Sequence, residues 1–449
     1  MSVREHSSAA ILCALTLLAP ASACATAFFV NQQSVKGLGR VDSGNTAAGD
    51  ELGTIFFNPA ALNTFWKEGG QGQDSAASFA VQLIIPRGSQ DNRGSTAATP
   101  FTGGAALPYA GGNSRDPTDP SPVPNFYYAR RLDDRTSIGI GMNVPFGLRA
   151  QFDPGWYGRY DATEASLRTV NVSLVGAYRV DDRWSIGIGL DGQYARTTLT
   201  SAIPNPLTPG GPTAQTDGTV HTHGDTRTGG FNAGLLYSIT EENRIGLHYR
   251  SGMKHRIDGT SEFSGLTGPL AIFNGEVGAR ADLKLPAITT LGFRMRANDE
   301  WVFMGDVQWY DWSVFDEVRI RFADGRPDGV RTSNYKDAYG VALGAEHRAR
   351  GSPLTLRGGL HYDTTPTVDA FRDTTVPDSE RLWLGFGATY QVNGTFQLDF
   401  AFNHVFFRKT EVALTRTFFD GTPLASSAFI SGAVKSVVNT LAIDMRWRF

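Results

Sequence analysis

The sequence predicts an all-β fold, a 14-stranded antiparallel transmembrane β-barrel with an N-terminal hatch, or plug, inside its lumen. Three observations carry this expectation. Hydrophobicity alternates with a period of two, short and long connections alternate along the chain, and a chain rich in Gly and Phe has no helical membrane span. Of 449 residues, 51 are Gly and 28 Phe, and charged residues are only 19%, below the roughly 25% of soluble proteins. Mean hydropathy is −0.22, and past residue 27 no apolar run approaches the ~20 residues of a spanning helix. Lys+Arg total 41 against Asp+Glu 44. That balance lacks the basic footprint of a nucleic-acid binder, so no nucleic-acid partner is expected.

The N-terminus has the pattern of a secretory signal over residues 1–25, expected to be removed. Arg4 gives a positive start, Ala9 to Leu18 an apolar stretch, and Ala23-Cys24-Ala25 or Ala25-Thr26-Ala27 a small-residue cleavage site. A lipoprotein reading at Cys24 is the alternative, although Ala21-Ser22-Ala23 lacks the usual Leu. Cys13 and Cys24, the chain's two cysteines, both lie within this segment, so cleavage after Ala25 or Ala27 is expected to leave a fold without disulfides.

Residues 26–70 fit no strand pattern. Some 40 residues are too few for an independent core, and a barrel lumen offers them a surface to fold on. They are expected to form a hatch, with residues 71–449 as the barrel.

The strands are expected near 76–86, 123–132, 135–146, 165–180, 184–199, 226–239, 244–257, 281–296, 300–321, 334–348, 353–363, 380–391, 395–409 and 436–449. In the last, Leu441, Ile443, Met445, Trp447 and Phe449 alternate with Ala442, Asp444, Arg446 and Arg448, which sorts apolar and charged side chains onto opposite faces. Val170, Val172, Leu174, Tyr178 and Val180 repeat the pattern. Short turns such as Asp133-Asp134 and Asp181-Asp182-Arg183 use tight-turn chemistry. They alternate with long Gly/Pro/Ser/Thr-rich connections such as 87–122 and 200–225. That asymmetry is the mark of an outer-membrane barrel, and it places the protein as multi-pass in the cell outer membrane of a Gram-negative bacterium. A strand ending in Phe449 is the expected signal for the barrel-assembly machinery, and outer-membrane lipid and lipopolysaccharide are the expected surroundings.

Gln33-Ser34-x-x-Gly37-Leu38-Gly39-Arg40, followed by Asn58-Pro59-Ala60, resembles the N-terminal hatch of the FadL/TodX family of outer-membrane transporters. Pro145-Phe146-Gly147-Leu148, Trp156-x-Gly158-Arg159-Tyr160, Asp306-x-x-Trp309-x-x-Trp312, Asn334-Tyr335-Lys336-Asp337, Tyr362-Asp363-x-x-Pro366 and Val376-Pro377-Asp378-Ser379 are similar to later family segments. The resemblance implies transport of long-chain fatty acids or similar hydrophobic compounds, by capture in an apolar lumenal pocket and lateral release through the wall. It implies ligand contact by Phe28 and Phe29, a hatch motif at Asn58, Pro59 and Ala60, and an inward kink in the third strand. Pro145 cannot donate to a ladder, so Val144, Pro145, Phe146 and Gly147 are the expected lateral exit. A carboxylate would favour a basic partner; Arg196, taken as lumen-facing, is the candidate, with Arg168 beside it. The stretch Leu199 to Ile203 has no basic residue matching the family's head-group contact, which leaves aromatic or alkane hydrocarbons as the alternative substrates. A general porin is the other alternative, opposed by the hatch.

No cofactor, metal site or catalytic set is expected, and so no enzyme. The chain has no G-x-S-x-G elbow and no H-E-x-x-H motif. His221-x-His223 has no assignable third ligand, and Asp324 to Gly329 fails the EF-hand spacing.

Overall fold

The computed structural model describes residues 27–67 and 73–449; the expected signal, with Cys13 and Cys24, lies outside the described residues. Fourteen antiparallel strands form a closed ring. In chain order they are β1 (Ser75–Asn92), β2 (Ser121–Arg131), β3 (Thr136–Asn143, then Gly147–Gln151), β4 (Glu164–Arg179) and β5 (Trp184–Ile203). Next come β6 (Gly218–Ser238), β7 (Arg244–Arg250, then Met253–Ser264), β8 (Gly275–Leu285, then Ile288–Arg296) and β9 (Trp301–Tyr310, then Glu317–Phe322). The ring continues with β10 (Gly329–Thr332, then Ala338–His347), β11 (Leu354–Asp363), β12 (Arg381–Gln391), β13 (Phe396–Phe407, then Thr410–Phe418) and β14 (Ser426–Arg448). β1 pairs with β14 from Ala76↔Arg448 to Asn92↔Gly432, which closes the cylinder. Closure leaves no sheet edge, the condition for strands to cross hydrocarbon.

Alternation sorts the faces. On β4 and β5, Leu174, Ile188 and Leu190 are more than half exposed and point outward, while Asn171, Ser173, Asp191 and Gln193 are buried inside. The short turns share one device. Asp133, Asp181, Asn298 and Asn393 each accept, through Oδ1, the backbone N–H groups two and three residues on. This is the Asx turn that makes these residues frequent there.

Several strands outrun the sequence expectation: β6 starts at Gly218 and β14 at Ser426. These ends lie beyond the apolar band on the long-loop side. The added stretch of β6 is mostly polar (Thr219, His221, Thr222 and His223), and hydrophobic alternation no longer marks it; the added stretch of β14 instead buries Ala428, Ile430 and Val434.

Residues 27–67 lie within the ring and are nearly all buried. Short helical turns, Val35–Gly39, Thr54–Phe57 and Leu62–Phe65, organise them. Their contacts reach inward-facing groups all round the wall. Gln82 of β1 donates to the Gln32 carbonyl, Arg250 of β7 to that of Phe56, and Arg446 of β14 to that of Asp50.

Candidate functional site

The wall is irregular at one place, where β3 leaves its neighbour. β2 and β3 pair from Arg131↔Ser137 to Phe126↔Met142, and no further. β3 then turns inward, and residues 144–147 bond to the chain inside the barrel. Val30 N–H donates to the Pro145 carbonyl (2.9 Å) and Gly147 N–H to that of Phe28 (3.0 Å), with Phe29 and Phe146 bridged. Gln33 Nε2 adds a bond to the Val144 carbonyl at 2.8 Å. On the other side the Thr169 hydroxyl of β4 serves both polar groups of Phe146, accepting from its N–H and donating to its C=O. The upper end of β2, opposite this departure, carries Pro122 and Pro124. Proline has no donor to offer, which suits a strand that lacks a partner on that side. The expected exit segment, Val144 to Gly147, is therefore the place where the β2–β3 ladder stops.

Behind it lies an aromatic cluster. Phe28 meets Trp312 edge-on at 4.8 Å and Phe315 at 5.4 Å; Phe29 meets Phe146 at 5.4 Å and Tyr310 at 5.6 Å. Tyr335 packs on Phe315. Trp312 is fully buried, and its indole N–H has no acceptor among the described residues. A buried indole donor ordinarily has one. Trp312, Phe315 and Tyr335 were not singled out from the sequence as pocket residues, although Trp309-x-x-Trp312 and Tyr335 stand in its motifs. Above the cluster is a cavity of about 80 Å³ bordered by Pro86, Leu148, Phe152, Val376 and Phe407. This is well short of the ~300 Å³ or more of an ordinary ligand pocket.

Asn58, Pro59 and Ala60 sit elsewhere. The Asn58 side chain accepts from Ala60 N–H (3.1 Å) and donates to the carbonyls of Thr46 (2.7 Å) and Leu235 (3.2 Å). The motif presses on the wall at Gly187 of β5 and Gly234 of β6, where any Cβ would collide with Ala60 or Asn58. Ala60 belongs to a small apolar cluster separate from that of Phe28 and Phe29. The geometry is that of a fastened turn.

Arg196 is not in the lumen. It is exposed on the outward face, in the same phase as Ile188 and Leu190, and so is Arg168, its direct partner across the β4–β5 ladder. An even number of residues separates Arg196 from Leu190, and a strand returns to the same face every second residue. The buried lumenal cations face carboxylates instead: Arg40–Asp50 (3.2 Å), Arg40–Glu346 (3.0 Å), Arg250–Asp191 (2.7 Å), Arg357–Glu346 (3.0 Å) and Arg381–Asp378 (2.8 Å). On the short-turn side this network borders a vestibule of about 540 Å³ lined by Lys36, Asp50, Arg294, Glu346, Arg357 and Arg446.

At the long-loop end, Asp161 is buried between Arg331 (3.2 Å) and Arg416 (2.6 Å) and accepts from Thr374 N–H (2.8 Å). Burial by itself lifts its carboxyl, but the two guanidinium groups and Thr374 outweigh that and hold it down at about 2. His221 and His223 have ring centroids 5.5 Å apart, and no group of three metal-ligating side chains occurs among the described residues. Asp324 holds Arg326 within a hairpin turn.

The profile of the family described as outer membrane protein transport protein (OMPP1/FadL/TodX) matches residues 16–449. The chain belongs to that family. It is an outer-membrane transporter of the FadL/TodX type, of fatty acids or hydrophobic compounds, and the family is one of transporters, not enzymes. Among its relatives, a long-chain fatty acid transport protein of Escherichia coli O6:H1 is 26% identical over 425 residues, 89% of this chain and 91% of that protein. Outer membrane protein P1 of Haemophilus influenzae is 26% identical over 461 residues, covering 98% of each. In fold, the chain is similar to a Pseudomonas aeruginosa FadL homologue, with a TM-score of 0.80 and 21% identity over 94% of this chain and all of that one. The Ralstonia pickettii toluene transporter TbuX gives a TM-score of 0.65 at 18% identity, over 92% of this chain and 97% of its own. FadL/TodX relatives thus include proteins named for fatty acids and for toluene.

Proposed function

We propose that the protein takes up long-chain fatty acids or hydrocarbons of similar greasiness, holds them at the Phe28–Trp312 cluster, and releases them sideways between β2 and β3. The observation that carries this reading is that residues 144–147 bond to Phe28 and Val30 rather than to β2. A solute that displaces the Phe28 and Phe29 rings loosens the same backbone that fills the break in the wall. The straight route is unfavourable for such a solute. It crosses the Arg40–Asp50–Glu346 network and a charged vestibule, where apolar surface gains nothing from leaving water. Residues 26–70 act as the hatch, and Asn58-Pro59-Ala60 fix its position on β5 and β6.

Within this reading a neutral hydrocarbon is favoured over a fatty acid at the cluster, because the five lumenal guanidinium contacts described above are with carboxylates of the protein. The N–H of Trp312, which has no acceptor among the described residues, belongs to this cluster and suits a π face or a single oxygen. The outer wall is in contact with lipid and lipopolysaccharide, and Phe449 closes the strand that the assembly machinery reads.

The test is a pair of cysteines, Pro124→Cys and Val144→Cys, joined by a cleavable thiol cross-linker across the break. Uptake of a long-chain fatty acid and of a monoaromatic hydrocarbon should fall when the bridge is made and return when it is cut. Undiminished uptake with the bridge in place sinks lateral release.

A further inference from the structure

The outward wall from β3 to β6 carries four arginines within two steps of one another. Arg168 and Arg196 are directly opposed on β4 and β5. Arg149 stands opposite Ser166, one step along the same face, and Arg227 stands opposite Tyr194, one step the other way. Like charges directly opposed on a sheet repel. Nevertheless, Arg168, Arg196 and Arg227 make no ion pair or hydrogen bond with a side chain among the described residues. Three carboxylates are near. Asp225 is across the ladder from Arg196 without pairing to it, Glu164 lies four residues up from Arg168, and Asp119 is 3.8 Å from Arg149. Elsewhere at the long-loop end, Arg87 is matched with Asp116 at 3.0 Å and Arg408 with Glu380 at 3.3 Å.

The depth of the cluster says what it meets. Below Arg168 the outward residues are Val170, Val172, Leu174, Gly176, Tyr178 and Val180, ending at the short turn after Arg179. Twelve residues at ~3.3 Å each, tilted by about 40°, span roughly 30 Å, close to the ~25 Å apolar band of such barrels. Short turns face the periplasm, so Arg168 and Arg196 stand at the upper rim of the band, level with the phosphate groups of the outer leaflet. Guanidinium groups match phosphate oxygens with paired, charge-assisted hydrogen bonds.

We propose that this wall is a binding site for the phosphorylated headgroup of an outer-leaflet glycolipid, with Arg168 and Arg196 at its centre and Arg149 and Arg227 at its flanks. Gly147, the last residue of the inward turn, is the ladder partner of Arg168 on its other side. The bound lipid therefore borders the break in the wall. The site is read by binding alone and stands whether or not solute leaves there.

The experiment is native mass spectrometry of the full-length protein, purified in detergent and offered bisphosphorylated lipid A or its dephosphorylated form. The wild-type protein should retain the bisphosphorylated lipid at least tenfold better than the dephosphorylated one. Retention should fall at least tenfold in Arg168→Gln/Arg196→Gln and stay unchanged in Arg408→Gln. Heat-modifiable migration shows whether each variant has folded, and the comparison of the two lipids on the wild-type protein needs no variant. Equal retention of both lipids, equal retention by the double variant, or release by millimolar inorganic phosphate would each overturn the proposal, the last by marking a free-anion site.

Discussion

Phe29 and Phe146 form an isolated antiparallel bridge, one residue from the segment inside the barrel and the other from its wall, with ring centroids 5.4 Å apart. The bridge makes the wall's third strand and the lumenal segment a single backbone unit at that point. A change on either side should be felt on the other.

Thr169→Val keeps the shape of the side chain and removes the hydroxyl that serves both polar groups of Phe146. Leaving a buried N–H and C=O without partners costs about 1–3 kcal/mol. Amide hydrogen exchange at Phe146 and Gly147 should speed up roughly tenfold or more, while the β4–β5 ladder keeps its protection. Unchanged exchange would show that the bonds from Val30 and Gln33 hold the turn alone.

Gly234→Ala places a methyl group where the Asn58 side chain lies. Overpacking of this kind costs about 1–3 kcal/mol, and the cheapest relief is to unseat the lumenal segment rather than distort β6. The variant barrel should still fold by heat-modifiable migration, yet proteoliposomes should swell faster in small sugars than those carrying the wild-type protein. Swelling at the wild-type rate would mean that the turn yields without opening a path.

Arg40→Ala removes the cation shared by Asp50 and Glu346. Stranding buried carboxylates costs about 3–5 kcal/mol, and the loss falls on contacts between the lumenal segment and β10. Protease access to residues 27–67 should rise while the barrel stays resistant. Equal resistance of both would show that Lys36 and Arg357 suffice to neutralise the network.

Asp161 ties the long loops together, and its carboxyl is held at about 2, below the ~3.9 of an unfolded aspartate. A depressed folded value means that the stabilisation is fully present above about 4 and is lost as pH falls through about 2. The amide of Thr374, bonded to Asp161, should therefore stay protected from exchange at pH 7 and at pH 5 and lose protection between pH 4 and pH 2. Asp161→Asn should remove that pH dependence and weaken protection at every pH, since Arg331 and Arg416 lose their shared anion.

How much of this was legible depended on whether the membrane wrote it into the sequence. Leu174, Ile188 and Leu190 face hydrocarbon and the residues between them do not, so strand, face and count could be read from alternation. Arg196 was misread because it stands just above the apolar band, where a charge no longer implies the lumen; its separation from Leu190 did give the correct face. The strand end at Gly218 was hidden for the same reason. The break beside β3 left a readable mark in Pro122 and Pro124, which sequence reasoning passed over in favour of Pro145. The meeting of Phe28 with Trp312 and Phe315 left no such mark. Aromatic residues following a strand also suit a membrane interface, and only the closed ring brings these three together.

The seam between β1 and β14 has a consequence for how the cylinder is sealed. Phe79 faces Met445, Val81 faces Ile443 and Leu83 faces Leu441 on the lipid side, while Ser78 and Ala80 face Arg446 and Asp444 within. A slip of β14 by one residue would turn Asp444 and Arg446 into the hydrocarbon, and a misplaced arginine there costs about 2–4 kcal/mol. The final join therefore proofreads itself against odd slips: any shift of first and last strands that exchanges the two faces is rejected by the membrane.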